Sequence, residues 1–402
     1  MRVPEGFQQI PGLSVCPKEW EVVQANEICS KITKGTTPPK TDIVEDGDIP
    51  FLRVNNLTFE GRLNETNELL FVSESAHRGS LARSIAYPND ILMNIVGPPL
   101  GKIVQLPDDF SEYNLNQAII IYRLKSIKID IAYFLNYLKS NYAQYWLSSR
   151  SKKTSGQQNL TIELCKELPV PLPSYPEQQK IAQILSTWDK AIEKLEALIA
   201  AKQKRKKALM QQLLTGKKRF AGFEGEWQPT FLGKISVVTM GSSPKSEAYN
   251  ENGEGLPLLQ GNADIKNRLS APRIFTAEIT KECSPGDILL SVRAPVGAIA
   301  LSLHKACIGR GISAIKAKLG YSQEFLYQWL IFFEPKWDRL SQGSTFESVN
   351  SSDIKNLHIL LPVNLEEQQK IATVLSDADT EIETHQKQLS ALKEQKKGLM
   401  QQ

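Results

Sequence analysis

The hexapeptide Glu177-Gln178-Gln179-Lys180-Ile181-Ala182 recurs letter for letter as Glu367-Gln368-Gln369-Lys370-Ile371-Ala372. At the same offset, and without a gap, Leu185 answers Leu375, Ser186 Ser376, Asp189 Asp379, Ile192 Ile382 and Glu193 Glu383. The match runs on through Lys206-Lys207 and Lys396-Lys397 to Leu209-Met210-Gln211-Gln212 and Leu399-Met400-Gln401-Gln402. A repeat of this length divides the chain into two related halves.

Both copies have the periodicity of a long helix. Ile181, Leu185, Trp188, Ile192, Leu195, Ile199, Lys202, Lys206, Leu209 and Leu213 alternate spacings of four and three. Ile371, Leu375, Ala378, Ile382, His385, Leu389, Leu392, Lys396 and Leu399 hold the equivalent places. Such a stripe predicts two coiled-coil helices, 176–215 and 366–402, that pair with each other. Pro173 and Pro176 mark the first start, Pro362 the second, and Thr215-Gly216 the first stop. A helix of this length spans about 57 Å. Antiparallel pairing is expected, because it brings both ends of the intervening segment together, whereas parallel pairing separates them by the whole rod.

The segments 1–175 and 216–365 carry fainter matches. Lys18-Glu19-Trp20 answers Gly225-Glu226-Trp227, and Gly35-Thr36-Thr37-Pro38 answers Gly241-Ser242-Ser243-Pro244. Ile49-Pro50-Phe51-Leu52 answers Leu256-Pro257-Leu258-Leu259, and Pro88-Asn89-Asp90-Ile91-Leu92 answers Pro285-Gly286-Asp287-Ile288-Leu289. The last pair reads as a turn entering a strand. Strands are also expected at Ala118–Tyr122 and Ile299–Leu303, and helices at Tyr133–Leu147 and Gln323–Phe333. The expected fold is α+β: two mixed, strand-rich domains separated by two long helices in an antiparallel coiled coil, with a pseudo-twofold internal repeat.

Bulk properties constrain function only loosely. The chain has 402 residues, 41% apolar and 23% charged, with a formal net charge of +4. That composition is globular and permits nucleic acid as a partner without requiring it. Five scattered cysteines (Cys16, Cys29, Cys165, Cys283, Cys307) include no CxxC pair, which favours reduced, buried thiols. The first residues lack the apolar stretch of a signal peptide, and no apolar run approaches roughly 18 residues. A soluble, cytoplasmic protein is expected.

Fragments resembling catalytic motifs fail on detail. Gly97-Pro98-Pro99-Leu100-Gly101-Lys102 is one residue short of a phosphate loop, and Ile103 stands where Ser or Thr is required. Gly309-Arg310-Gly311-Ile312-Ser313-Ala314 matches a dinucleotide fingerprint but is not followed by a helix. Asp264-Ile265-Lys266, Asp353-Ile354-Lys355 and Glu334-Pro335-Lys336 have the acid-x-Lys form of metal-dependent nucleases, which solvated faces explain equally well. His304 and Cys307 fall short of a zinc ligand set. No catalytic residue and no metal site is assigned.

A pair of related domains on a spacer suits duplex DNA, whose half-sites are addressed at a spacing set by protein geometry. Candidate DNA contacts in the first segment are Lys34, Thr36, Thr37, Lys40, Arg53, Asn55, Asn56, Lys152, Lys153 and Gln157. In the second they are Ser242, Ser243, Lys245, Gln260, Asn262, Arg293, Arg310, Ser344 and Thr345. Arg pairs with guanine and Asn or Gln with adenine, whereas Ser, Thr and Lys mostly hold phosphate. The basic block Lys202–Lys207 suits phosphates, a solvated helix face or acidic partner helices.

Taken together, the chain resembles the specificity subunits of Type I restriction–modification systems. The resemblance rests on the doubled Glu-Gln-Gln-Lys-Ile-Ala ahead of a long helix, the tail Leu209–Phe220, the starts at Trp20 and Trp227, and the loop Gly343-Ser344-Thr345. It implies a non-catalytic subunit with two target recognition domains reading an asymmetric split DNA sequence. The paired helices would set the gap and dock two modification subunits. Those partners would bind S-adenosylmethionine and methylate a flipped adenine, and restriction subunits would add ATP- and Mg-dependent translocation and cleavage. No cofactor is implied in this chain. The alternative is a coiled-coil adaptor that reads no DNA. Two departures from the pattern stand out: the second repeat carries no counterpart of Leu213–Phe220 within these residues, and Ser155-Gly156-Gln157-Gln158 only loosely matches the Gly-Ser-Thr loop.

Overall fold

The computed structural model describes residues 3–10, 15–59, 61–64, 69–97, 99–125, 128–154, 157–337 and 348–400. The chain divides into two compact units, Met1–Lys194 with Leu389–Gln402, and Leu195–Gln388. Both long helices form: α3 spans Tyr175–Leu213 and α5 Leu365–Leu399, so each unit takes part of both.

The first unit is built on an antiparallel sheet of β1 (Cys29–Lys34), β2 (Ile91–Asn94), β3 (Ile103–Gln105) and β4 (Ile119–Leu124), in the order β3-β2-β4-β1. Helices α1 (Ile131–Lys139) and α2 (Asn141–Ser149) bury Phe134, Leu138 and Leu147 against it. Here one expected helix proves to be two. Ser140 ends α1 in an extended conformation and turns its hydroxyl onto the Ala143 amide to begin α2. A second sheet orders Asn114–Leu115, Pro50–Leu52, Leu70–Val72 and Ile43–Val44, with its first pair parallel.

The second unit repeats this plan. Its main sheet places β5 (Ser236–Met240), β6 (Ile288–Ser291), β7 (Ile299–Leu301) and β8 (Ile312–Ala317) in the order β5-β8-β6-β7, extended by Leu269–Ser270 and Ile265–Lys266. Helix α4 (Gln323–Phe333) buries Phe325, Leu326 and Leu330 in its core. The other sheet again has one parallel pair, Leu256–Leu259 with Ala306–Ile308, which the added edge strand Glu282–Cys283 makes internal. The repeated turn before β2 and β6 has one geometry in both units. Asn89 and Gly286 take positive φ (70° and 86°), and the following carboxylates of Asp90 and Asp287 accept from the Tyr87 and Ser284 amides.

The repeated hexapeptide now has a physical explanation. Gln178 is buried; its Oε1 accepts from the Asp130 amide at the start of α1, and its Nε2 donates to the Lys128 and Pro173 carbonyls. Gln368 is equally buried; it accepts from the Ser322 amide at the start of α4 and donates to the Pro362 carbonyl. Each amide side chain therefore fastens a long helix to the cap of its unit's packing helix. Beside it, Glu177 accepts from the Trp20 indole and Glu367 from the Trp227 indole, while Ala182 and Ile371-Ala372 enter the cores.

Antiparallel helix pairing is visible inside each unit. In the second, Lys202 pairs with Glu381 and Lys206 with Asp379, both at 2.5 Å, so ascending α3 meets descending α5. In the first, Asp189 pairs with Lys396 at 2.5 Å. Asp189/Asp379 and Lys206/Lys396 are repeat equivalents, so the same bond is made once in each unit. The stripe residues are buried or half-buried, Leu399 excepted at 38% exposure.

Replacing Gln368 by Ala strands the Ser322 amide and the Pro362 carbonyl; a cost of about 2–4 kcal/mol is expected, read as a lower denaturant midpoint at unchanged slope. All five cysteines are free and buried, and burial pushes Cys29 and Cys165 up to about 12. Thiol labelling at pH 8 should accordingly be slow for the folded chain and fast only in denaturant.

Candidate nucleic-acid interface

In each unit the loops that carry most of the candidate residues are tied together at one end of the two sheets. In the first, Gly35 leaves β1 and its amide donates to the Ile119 carbonyl, while the Thr36 amide donates to the Leu115 carbonyl. A Cβ on Gly35 would lie 2.2 Å from the Asn116 carbonyl oxygen, so only glycine allows this approach. The Asn116 amide donates to the Leu52 carbonyl, which brings in the loop at Arg53–Asn56. Thr37 Oγ1 accepts from the Gln117 amide, and Thr36 Oγ1 accepts from Arg83 Nε at 3.2 Å.

The second unit builds the same frame from other residues. Gly241 and Ser242 amides donate to the Ile312 and Ile308 carbonyls, and a Cβ on Gly241 would meet the Gly309 carbonyl oxygen at 2.1 Å. The Gly309 amide donates to the Leu259 carbonyl, as Asn116 does to Leu52. Ser243 Oγ accepts from the Arg310 amide at 3.1 Å, as Thr37 does from Gln117. In the neighbouring loop the Asp264 carboxylate accepts from the Gln260 and Gly261 amides and pairs with Arg273, the place that Asn56 takes by accepting from the Arg53 amide.

These bonds sort the candidate residues. Lys34, Thr37, Lys40 and Asn55 are exposed, and Thr36 and Arg53 half-buried, on or beside the clustered loops. Asn56 is corrected: its side chain is buried and closes a short turn, so it shapes the loop and presents nothing to a ligand. Ser242, Lys245, Arg293 and Arg310 are exposed, and Ser243, Gln260 and Asn262 half-buried. Ser243 spends its hydroxyl on Arg310, orienting that side chain. Lys152 is exposed on a short strand pairing with Gln157–Asn159; the side chains of Lys153 and Gln157, together with Ser344 and Thr345, lie outside the described residues. Sequence reasoning missed Arg83, Gln117 and Arg273. Arg83 and Gln117 lie against the Gly-Thr-Thr turn and Arg273 against Asp264, neighbours that sequence spacing does not encode.

The rejected catalytic fragments have structural roles. Gly309 and Gly311 sit where backbone crowds Gln260, and a Cβ on Gly311 would meet its carbonyl oxygen at 2.1 Å. Asp264 closes a turn, Asp353 caps a helix through the Asn350 amide, and Glu334 pairs with Arg268. His304 Nδ1 bonds Ser270 Oγ. Among the described residues no cluster of three potential metal ligands occurs, and no helix is long and apolar enough to cross a membrane.

With this doubled frame in view, comparison with known proteins defines the class. The family model for the Type I restriction modification DNA specificity domain matches twice, at residues 17–203 and 224–394, and the chain belongs to that family. A provisionally named type I restriction enzyme MjaX specificity subunit of Methanocaldococcus jannaschii is 30% identical over 96% of this chain and 92% of its own length. The MjaVIII specificity subunit of the same organism is 25% identical over 98% and 94%. Among solved structures, the S subunit of a Type I system from M. genitalium aligns with a TM-score of 0.62 at 18% identity, covering 100% of this chain and 97% of that one. A chain from a study of complex assembly in the type I R-M system gives 0.65 at 23% identity, covering 98% of both. At these identities the structural likeness speaks for the fold.

Gly241→Ala should drive its methyl group into backbone and separate the Ser242–Lys245 turn from Gly309–Gly311. A loss of roughly 2–4 kcal/mol is expected on thermal or denaturant unfolding, from overpacking against atoms that cannot yield.

Proposed function

We propose that this chain is the non-catalytic specificity subunit of a Type I restriction–modification complex, reading two different DNA half-sites with its two units. One observation carries the proposal: the same hydrogen-bonded loop frame occurs twice and holds different side chains at equivalent places. Gln117 of the first unit answers Arg310 of the second, and Arg53 answers Gln260. Arg suits the O6/N7 edge of guanine and Gln that of adenine, so one frame offers two base preferences. Lys34, Lys40, Arg83, Lys245 and Arg293 are available to phosphates on the same surfaces.

In this proposal the long helices set the interval between half-sites and dock two modification subunits. Exposed Lys204, Arg205 and Lys207 on α3 offer a basic face to such partners. S-adenosylmethionine belongs to the modification subunits, and ATP and Mg to restriction subunits; the proposed role calls for none of the three in this chain. A cytoplasmic location follows from that role.

Co-expression with a cognate modification subunit, read by methylome sequencing, tests the assignment. Arg310→Ala should relax one position in one half-site and weaken binding there by about 1–3 kcal/mol, leaving the other half unchanged. Affinity for a cognate duplex should fall steeply with rising salt, as counterion release requires. A salt-independent affinity, or a change in both half-sites from the one substitution, overturns the proposal.

A further inference from the structure

Past the ends of β2 and β6 the backbone sets a further equivalence between the units. In the second unit Ser291, which ends β6, pairs with Ile312, which begins β8. The next amide, that of Val292, donates to the Gly311 carbonyl, and the Val292 carbonyl accepts from the Val349 amide. Arg293 follows and bridges to Ser348, while Arg310 adjoins Gly311. In the first unit Asn94 pairs with Ile119, the Ile95 amide donates to the Ala118 carbonyl, and the Ile95 carbonyl accepts from the Leu160 amide. Val96 follows and pairs with Asn159, while Gln117 adjoins Ala118. Val96 therefore takes the place of Arg293 beside Gln117, as Arg293 stands beside Arg310.

Alternation fixes the face. Ile95 and Val292 are 3% and 2% exposed in the cores of their units, so the residues after them face the other way. Arg293 is exposed and Val96 half-buried. The loop that follows is held from within. Ser291 Oγ donates to the Pro295 carbonyl at 2.8 Å and accepts from the Ala298 amide at 2.9 Å. Gly297 lies so close to buried Trp337 that a Cβ would come within 2.6 Å of the ring. Asn94 does the same work in the first unit, donating to the Pro99 carbonyl at 2.8 Å and accepting from the Lys102 amide at 2.9 Å. Arg293 thus projects from a backbone fixed on both sides. Arg310 Nε reaches only the Ser243 hydroxyl, and among the described residues neither guanidinium meets a carboxylate.

We propose that the place shared by Arg293 and Val96 reads the base pair next to the one read by Arg310 and Gln117; the inference rests on the specificity-subunit role. The second unit then addresses two successive G·C pairs, one guanine to each arginine. The first addresses two A·T pairs, with Gln117 on an adenine and the Val96 methyl groups against a thymine methyl. Exposure alone would suit Arg293 to a phosphate, which a lysine holds equally well. Its rigid mounting beside a second unpaired arginine suits the bidentate edge of guanine, which a lysine cannot match in the same way.

The chain assembled with its modification subunits provides the test, with methylome sequencing and duplex binding as readouts. Arg293→Lys keeps the charge and loses the fork. It should cut discrimination for guanine about tenfold or more at one position of the second half-site, adjacent to the position that Arg310→Ala relaxes. Affinity for non-cognate duplex and its salt dependence should stay unchanged. Val96→Arg should turn one position of the first half-site toward guanine and leave the second half-site as it was. Undiminished discrimination in Arg293→Lys overturns the inference. So does an Arg293→Ala chain that binds all sequences more weakly to the same extent, with a salt slope lower by about one, because Arg293 then holds a phosphate. Both of those results leave the specificity-subunit role standing, whereas absence of sequence-specific methylation with the unsubstituted chain overturns the role itself.

Discussion

Two buried glutamine side chains hold this architecture together. A long helix carries its own backbone hydrogen bonds, but those bonds do not fix how it lies against a neighbouring core. Gln178 and Gln368 fix it by bonding at once to the proline-bearing loop that precedes the helix and to the N-cap amide of the helix packed across it. An amide is suited to this because it donates and accepts from one rigid, uncharged group. The orientation of each long helix against its strand-rich core follows from those few bonds and from the small Ala182 and Ala372 that let the backbones approach.

From that anchor the repeat propagates with consistent chemistry. Each copy supplies an aspartate early and a lysine late, and antiparallel pairing brings the aspartate of one copy to the lysine of the other. These pairs are partly buried, which makes them directional as well as attractive, and the flanking apolar stripe supplies the bulk of the stabilisation. The clustered loops show the complementary strategy. In each unit backbone hydrogen bonds and a tightly packed glycine, Gly35 or Gly241, hold three loops in one arrangement, leaving the side chains on them free to differ. Gln117 and Arg310 occupy the same place in that arrangement and offer different hydrogen-bonding edges. The side chains on these loops can thus diverge between the halves without disturbing either frame.

Periodicity and repetition determined a good deal by themselves. The two long helices, their antiparallel sense, the doubled α+β plan and the family were legible because a four-three apolar stripe and an ungapped repeat are local patterns that burial imposes directly. The site was legible only in part. The Gly-Thr-Thr and Gly-Ser-Ser turns drew attention to themselves, yet Asn56 looked like a contact although it is a buried turn closure, and Arg83 and Gln117 went unseen. Whether a polar side chain bonds its own backbone or faces outward depends on which strands lie beside it, and parallel pairing of Phe51-Leu52 with Asn114-Leu115 joins segments far apart in the chain. Tertiary structure decided that, because a hydrogen-bonding group's fate is set by its neighbours in space, and sequence spacing encodes those only within a single helix or strand.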